Sequence, residues 1–340
     1  MENTPTGKLG KYGLIEYVTK KFEIRNKSTL AGIGDDAAII KNSGRMTLVS
    51  TDLLLEGIHF NLTYTPLKHL GYKAVIRGIS DILAMNGTPE QVLVGIGIGS
   101  RLTVEKIDEI FEGISLACSK YSLDLAGGDT TSSLTGLTLS VTATGTAEEK
   151  DIVRRSGAKP NDLICVTGDL GAAYIGLQIL ERERRIFEKN SGIQPDLTGN
   201  DYVIGRQLKP EVPAELLSEV NKSGIRISSM IDITDGLASD LMQLCKASGT
   251  GCRIFSKQIP VDHETARFAE EFELDPLIPA LNGGDDFELL FTVPLDDYEK
   301  VRKLKGLTII GHITEAGTGN YLVGPEGTEV ELTAQGWQKE

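Results

Sequence analysis

Two periodicities run along the chain: apolar residues three and four apart, which mark helices, and alternating or short continuous apolar runs, which mark strands. Leu9, Leu14, Ile15, Val18 and Phe22 predict a first helix over 9–22. The run 37–40 and the stretch 46–52 predict two strands, the second ending in polar Ser50, Thr51 and Asp52. Thr65-Pro66 suits an N-cap and first helical position, opening a helix that stops near Asn86-Gly87. A strand follows at 92–98, where Gly95, Gly97 and Gly99 lack the spacing of a dinucleotide fingerprint. Thr103 caps a helix to about Tyr121, after which 123–126 leads into a turn at Gly127-Gly128-Asp129. Residues 137–147 alternate Thr or Ser with Leu or Val, the mark of a strand with one polar face.

The pattern changes at 148–160, where Glu148-Glu149-Lys150-Asp151 and Arg154-Arg155-Ser156-Gly157 interrupt the apolar runs. This predicts a boundary between a domain of residues 1–150 and one of 151–340. The second half reads as strand 163–167, helix 170–182, a polar stretch 185–205 and helix 212–222. Strand 226–233 and helices 236–247 and 263–272 follow. Strand 286–293, helix 296–304, strand 308–313 and a short β tail complete it. The expected fold class is α+β, mixed α/β, in two domains, as suits 340 residues.

Charge and composition narrow the function. The net charge of −13, from 35 basic and 48 acidic residues, argues against a nucleic-acid surface. It leaves room for anionic small substrates if divalent cations stand between the negative charges. No apolar run reaches the ~20 residues of a membrane helix, and 1–22 has no signal-peptide core. The four cysteines form no C-x-x-C pair, which fits reduced thiols in a cytoplasmic protein rather than a zinc site.

The candidate chemistry is carboxylate. Gly32-Ile33-Gly34-Asp35-Asp36-Ala37-Ala38 sets two aspartates after a glycine pair. Adjacent side chains on extended backbone face opposite ways, so Asp35 and Asp36 have different jobs, one for the fold and one for the space beside it. Related turns recur at Gly127-Gly128-Asp129, Gly168-Asp169, Thr234-Asp235-Gly236 and Gly283-Gly284-Asp285-Asp286, although Asp-rich turns are common in any protein. Asp36, Asp52 and Asp129 all come at strand–loop junctions. Asp81 shares a helix face with Leu70, Ala74, Gly78 and Met85, and a buried unpaired carboxylate is costly. Either it pairs with a residue such as Arg77, or it meets a metal shared with the other aspartates. Oxygen ligands without histidine or thiolate point to magnesium, and magnesium points to phosphoryl transfer. No P-loop, protein-kinase set or G-x-S-x-G elbow is present, so bound ATP would be held mainly through metals. In Ile231-Asp232-Ile233-Thr234-Asp235-Gly236, Asp235 is placed to cap the next helix, whose N-terminus also favours phosphate. Arg154 and Arg155 are either solvated or bound to phosphate.

Together, Gly34-Asp35-Asp36-Ala37, Ser50-Thr51-Asp52, Ser80-Asp81, Gly127-Gly128-Asp129-Thr130-Thr131, Arg155-Ser156-Gly157-Ala158, Asp232-Ile233-Thr234-Asp235-Gly236 and Gly283-Gly284-Asp285-Asp286-Phe287-Glu288-Leu289 occur in order. The set closely resembles the thiamine-monophosphate kinases of the aminoimidazole-ribonucleotide-synthetase superfamily, over nearly the whole chain. The resemblance implies ATP-dependent phosphorylation of thiamine monophosphate to thiamine diphosphate, in a homodimer whose N-terminal sheets join into a barrel. It implies that Asp36, Ser50, Thr51, Asp52, Asp81, Asp129, Asp232 and Asp235 hold several magnesium ions. Gly128, Asp129, Arg155 and Thr234 would contact ATP, and His59, Asp285 and Trp337 the substrate. Thr234 and Asp285 stand where the family often has Ser and Glu. Aminoimidazole ribonucleotide synthetase and a non-catalytic ATP-binding protein are the alternatives. Selenophosphate synthetase would need a reactive cysteine near the N-terminus, and the first here is Cys118.

Overall fold

Strands and amphipathic helices alternate along the chain, and the strands form two sheets. The structure, a computed structural model, describes residues 29–31, 35–42, 44–190 and 194–334. The helix expected over 9–22 and the substrate contact expected of Trp337 lie outside these residues.

The first sheet has the order β1-β2-β3-β6-β4-β5. Its strands are β1 (Thr29–Ala31), β2 (Ala38–Lys41), β3 (Met46–Leu55), β4 (Thr88–Gly99), β5 (Asp124–Ser133) and β6 (Thr138–Ala147). β6 alternates as expected, burying Leu139, Val141 and Ala143 and turning Ser140, Thr142 and Thr144 to the other side. The buried side takes α1 (Leu67–Ala84), which in turn takes α2 (Val104–Tyr121). α1 and α2 touch through glycines: a Cβ at Gly71 would lie 1.9 Å from the Ile110 carbonyl oxygen, and one at Gly113 1.9 Å from that of Lys68. Only glycine permits so close an approach.

The second sheet has the order β13-β12-β9-β11-β7-β10-β8. Its strands are β7 (Leu163–Thr167), β8 (Ser229–Ile233), β9 (Gly251–Phe255), β10 (Glu288–Val293), β11 (Leu307–Thr314), β12 (Asn320–Val323) and β13 (Glu329–Glu331). Every residue of β7, β8 and β10 is buried, so these strands are covered on both faces. The helices are α3 (Ala172–Lys189), α4 (Asp201–Leu208), α5 (Ala214–Lys222), α6 (Leu237–Ser248), α7 (His263–Glu271), α8 (Leu277–Asn282) and α9 (Tyr298–Val301). One apolar cluster runs through both halves, joining Ile76 and Ile79 of α1 to Met230, Phe287 and Phe291. Among the described residues no helix is long and apolar enough to cross a membrane.

Several elements differ from expectation. Gly127-Gly128-Asp129 is no turn; it lies inside β5, parallel to β4, with Val94 opposite Gly128 and Gly95 opposite Asp129. A Cβ at Gly128 would sit 1.9 Å from the Val94 carbonyl oxygen, so these glycines serve a tight strand pairing. Thr65 donates its N–H to the Asn61 carbonyl at 2.9 Å, and Pro66 takes the N-cap of α1. α3 runs seven residues beyond the expected end at 182. The stretch 185–205 holds the end of α3 and the start of α4, which the polar character had hidden. β8 begins at Ser229 rather than 226, and 296–304 forms only a 3-10 turn and the short α9. β1, β9 and α8 were not anticipated; β9 follows closely on Gly249, the left-handed C-cap that ends α6.

Candidate active site

The two aspartates before β2 diverge as adjacent residues should. Asp35 Oδ1 accepts the backbone N–H of Arg155 at 2.8 Å, with Arg154 Nη1 at 3.5 Å from Oδ2, and so ties β2 to the connector between the sheets. Asp36 turns the other way and receives Arg155 Nε at 2.8 Å and Nη2 at 2.7 Å. Its side chain is 1% exposed.

Beside Asp36 lie Asp81 from α1 and Asp232 from β8, and ligand oxygens of the three are all within 4.8 Å of one another. Ser80 Oγ donates to Asp232 Oδ2 at 2.5 Å. Burial pushes Asp36 up to about 7, against the pull of Arg155. Burial also raises Asp81 well above the carboxylate range, helped by Asp232, Asp52 and Asp36. Asp232 is raised, again chiefly by burial. Three crowded carboxyls with one guanidinium among them form an all-oxygen donor set short of positive charge. That fits a hard divalent cation such as magnesium.

Next to this cluster runs a line of ion pairs carried by α1. Arg77 Nε donates to Asp52 Oδ1 at 2.9 Å, and its Nη1 to Asp285 Oδ1 at 3.1 Å. Of the two alternatives for Asp81, the pairing with Arg77 is not the one formed: the guanidinium points to β3 and to the 283–287 turn instead. Lys73, one turn earlier, donates to Asp285 Oδ2 at 2.8 Å and to the Gln207 carbonyl at 2.9 Å. Burial works against ionisation of Asp285, yet Lys73 and Arg77 hold it below its ordinary value. His59 stands in the loop after β3, within electrostatic reach of Asp285. His59 Nδ1 accepts the N–H of Leu55 at 3.1 Å.

The other expected site residues scatter around this centre. Ser50 is buried and donates to the Gly78 carbonyl at 3.1 Å, fastening β3 to α1. Thr51 is exposed and lies 3.0 Å from the Thr142 hydroxyl. Gly128 and Asp129 are on β5, an exposed edge strand. A row of pairings runs from Asp52 through Val141 and Val94 to Gly128, so two strands intervene and the span is roughly 14 Å. Within one chain, Asp129 is therefore not drawn into the Asp36–Asp81–Asp232 cluster. Thr234 accepts the N–H of Asp285 at 3.0 Å, which brings 231–237 and 283–289 together across β8 and β10.

The N-cap of α6 is Gly236, with no side-chain cap, so the capping expected of Asp235 falls one residue later, and the turn before the helix is held by a residue not anticipated. Asp240 reaches back from the first turn of α6, and its Oδ2 accepts the N–H groups of Thr234 at 3.0 Å and Asp235 at 3.1 Å. An acidic residue four positions after Gly236 was the available signal, but acids are ordinary in a first turn. Lys73 was equally hidden, because its spacing places it with the core.

Family models settle the class. The N-terminal domain of the AIR synthase related proteins matches residues 34–147, and their C-terminal domain matches 159–323. The thiamine-monophosphate kinase of Bacillus subtilis (strain 168) is 32% identical over 97% of this chain and 99% of its own length. That of Aquifex aeolicus (strain VF5) is 31% identical over 97% of this chain and 98% of its own. A solved structure, AaThiL complexed with AMPPCP and TMP, superposes with a TM-score of 0.83 at 29% identity, covering 97% of this chain and 98% of that one. The chain belongs to the thiamine-monophosphate kinase family within the AIR synthase related proteins.

Proposed function

We propose that this protein transfers the γ-phosphoryl group of ATP to thiamine monophosphate, giving thiamine diphosphate. The observation that carries the reading is the meeting of Asp36, Asp81 and Asp232 beside the Asp52–Arg77–Asp285 line. It is supported by relatives that are thiamine-monophosphate kinases and by the likeness to AaThiL complexed with AMPPCP and TMP.

Asp36, Asp81 and Asp232 would hold magnesium directly. Asp52, Asp235, Ser50 and Thr51 would complete the set, each by its carboxylate, hydroxyl or carbonyl oxygen, and Asp129, which stands apart from the cluster within one chain, would enter it across the dimer interface. Bound magnesium supplies neutralisation of charge between two approaching anions. This chain's residues supply placement. Arg155, anchored on Asp36, offers a guanidinium to the nucleotide, together with Gly128, Asp129 and Thr234. His59, Asp285 and Trp337 receive thiamine monophosphate, whose flat cationic ring suits a carboxylate and an aromatic face. The attacking group is a phosphate oxygen, mostly dianionic at neutral pH because its second pKa is about 6. No side chain need remove a proton, and none need carry a phosphoryl intermediate, so transfer is direct and in line.

The reading includes a homodimer. β5 is exposed along its length, and Leu93, Leu125 and Leu134 are exposed on or beside it. A second copy covering this edge would close the N-terminal sheets into a barrel. The domain division at 150/151 and a cytoplasmic location belong to the same reading.

The test is product analysis by chromatography after incubation of the purified protein with ATP and magnesium, with and without thiamine monophosphate. Magnesium-dependent thiamine diphosphate is the expected product. ADP release with formylglycinamidine ribonucleotide alone would overturn the substrate assignment, and no turnover with either would overturn the kinase reading.

A further inference from the structure

Lys73 is 4% exposed, on a helix whose other buried residues are apolar or small apart from Tyr72 and Ser80. A lysine so deep is rare unless it is paired. Its amine reaches Asp285 Oδ2 at 2.8 Å and the Gln207 carbonyl of α4 at 2.9 Å. It thus joins α1, from the first half of the chain, to two separate segments of the second. Asp285 sits in a strained turn. Its φ is 56° and that of Phe287 is 55°, in the left-handed region that non-glycine residues seldom occupy. The N–H groups of Asp285 and Phe287 are fastened to the carbonyls of Thr234 and Ile233, each at 3.0 Å. The carboxylate is fixed from the opposite side, one oxygen by Lys73 and the other by Arg77. Each carboxylate oxygen can accept two hydrogen bonds, so both keep a lone pair for a ligand.

We propose that Lys73 is a positioning residue for substrate: it orients Asp285 toward the thiamine moiety and thereby sets affinity for thiamine monophosphate, without touching the reacting phosphates. This rests on the functional reading above. Without the amine, Asp285 Oδ2 and the Gln207 carbonyl lose their donor, and the carboxylate turns toward Arg77 alone.

Steady-state kinetics with each substrate varied tests this on the full-length protein, in wild type, Lys73→Met, Lys73→Gln, Asp285→Asn and the Lys73→Met/Asp285→Asn double variant. Melting curves and calorimetric binding of thiamine monophosphate are measured in parallel. Lys73→Met should raise KM for thiamine monophosphate about tenfold or more while KM for ATP stays within about twofold, as expected when a buried charged hydrogen bond is lost at one subsite only. Lys73→Gln, which keeps a donor, should recover part of the loss. It also replaces Lys73→Met if that variant is not folded at the assay temperature. The double variant should be no worse than Asp285→Asn alone. Unchanged KM for thiamine monophosphate, equal increases for both substrates, or losses that multiply in the double variant would each overturn the inference while wild-type turnover leaves the kinase reading standing. A wild type that neither binds nor phosphorylates thiamine monophosphate overturns both.

Discussion

Two buried groups of acids lie close together in this molecule and are built to opposite ends. One oxygen each of Asp36, Asp81 and Asp232 lies within 4.8 Å of the others, and the donors to this group are Arg155 on Asp36 and Ser80 on Asp232. Asp169, Asp286 and Glu288 are held by a denser set of donors, although Asp169 Oδ1 has none among the described residues. Tyr202 serves Asp169 at 2.6 Å, the Gly171 N–H serves both oxygens of Asp286 at 3.0 and 3.1 Å, and Thr167 serves Glu288 at 2.5 Å. Arg206 closes the group, 3.1 Å from Glu288 and bonded to the Asp169 and Asp286 carbonyls. Gly168 makes room, since a Cβ there would come 2.3 Å from Glu288 Oε1. Burial raises the pKa in both groups, to about 7 for Asp36 and about 8 for Asp286. Acidity and burial therefore do not tell a ligand site from a structural knot. What sets the first group apart is the convergence of three carboxyls within 4.8 Å.

The largest expected separation between the two is catalytic. Asp81→Asn should lower kcat by about a thousandfold or more, as for loss of a metal ligand. Asp286→Asn should leave kcat within about threefold, since the amide oxygen still accepts from Gly171. Comparable losses in both would erase the distinction.

Next comes the response to metal. In Asp36 the folded pKa exceeds the ordinary 3.8, so its contribution to stability is fully present below about 4 and is lost as pH rises through about 7. Metal competes with those protons and binds the ionised form. Magnesium should accordingly raise the melting temperature more at pH 8 than at pH 5 in wild type and in Asp286→Asn, and at neither pH in Asp81→Asn. A shift in wild type that ignores pH would contradict the cluster's protonation.

A smaller effect isolates the second group. Asp286 is raised from 3.8 to about 8 by burial, against Arg206 and the Gly171 N–H. Its stabilisation is present at low pH and disappears as pH climbs through that window, at no more than about 1.4 kcal/mol per pH unit. Denaturant melts at pH 5 and pH 8 should show a shallower decline in Asp286→Asn than in wild type, and parallel declines would refute the assignment. The smallest effect expected is for Ser50→Ala, about 1 kcal/mol from the lost bond to the Gly78 carbonyl, read by the same melts. A much larger loss of activity than of stability there would move the Ser50 side chain from the fold to the ligand set.

Much of this was visible in the chain itself. Long periodic stretches reported α1, α2 and α6, and the Thr/Leu alternation reported β6, because each buries one face along many residues. β9 and α8 are five and six residues long, too short for a period to register, and α4 hid in a polar stretch. Asp81 stood out as a carboxylate on an apolar face, and Asp36 and Asp232 as members of a motif set. Arg77 was offered as one possible partner of Asp81 because the i, i+4 neighbour is what helix spacing offers; its pairing with Asp285 spans 208 positions and leaves no local trace. Lys73 was silent for the same reason, whereas Asp240, whose bonds span only five and six positions, was passed over because acids are ordinary in a first turn.

The glycine contact between α1 and α2 bears on how the site can adjust. Backbone sits against backbone at Gly71 and at Gly113, so α1 cannot creep along its axis without taking α2 with it. Lys73, Arg77 and Asp81 stand at intervals of four on this rod, a span of about 12 Å fixed by the helical rise alone. The helix acts as a gauge block: under the proposed function one end would mark where phosphates meet metal, and the other end is held to Asp285. Under the proposed function, tolerance for a longer or shorter substrate would then come from the non-helical parts of the frame, among them the loop carrying His59.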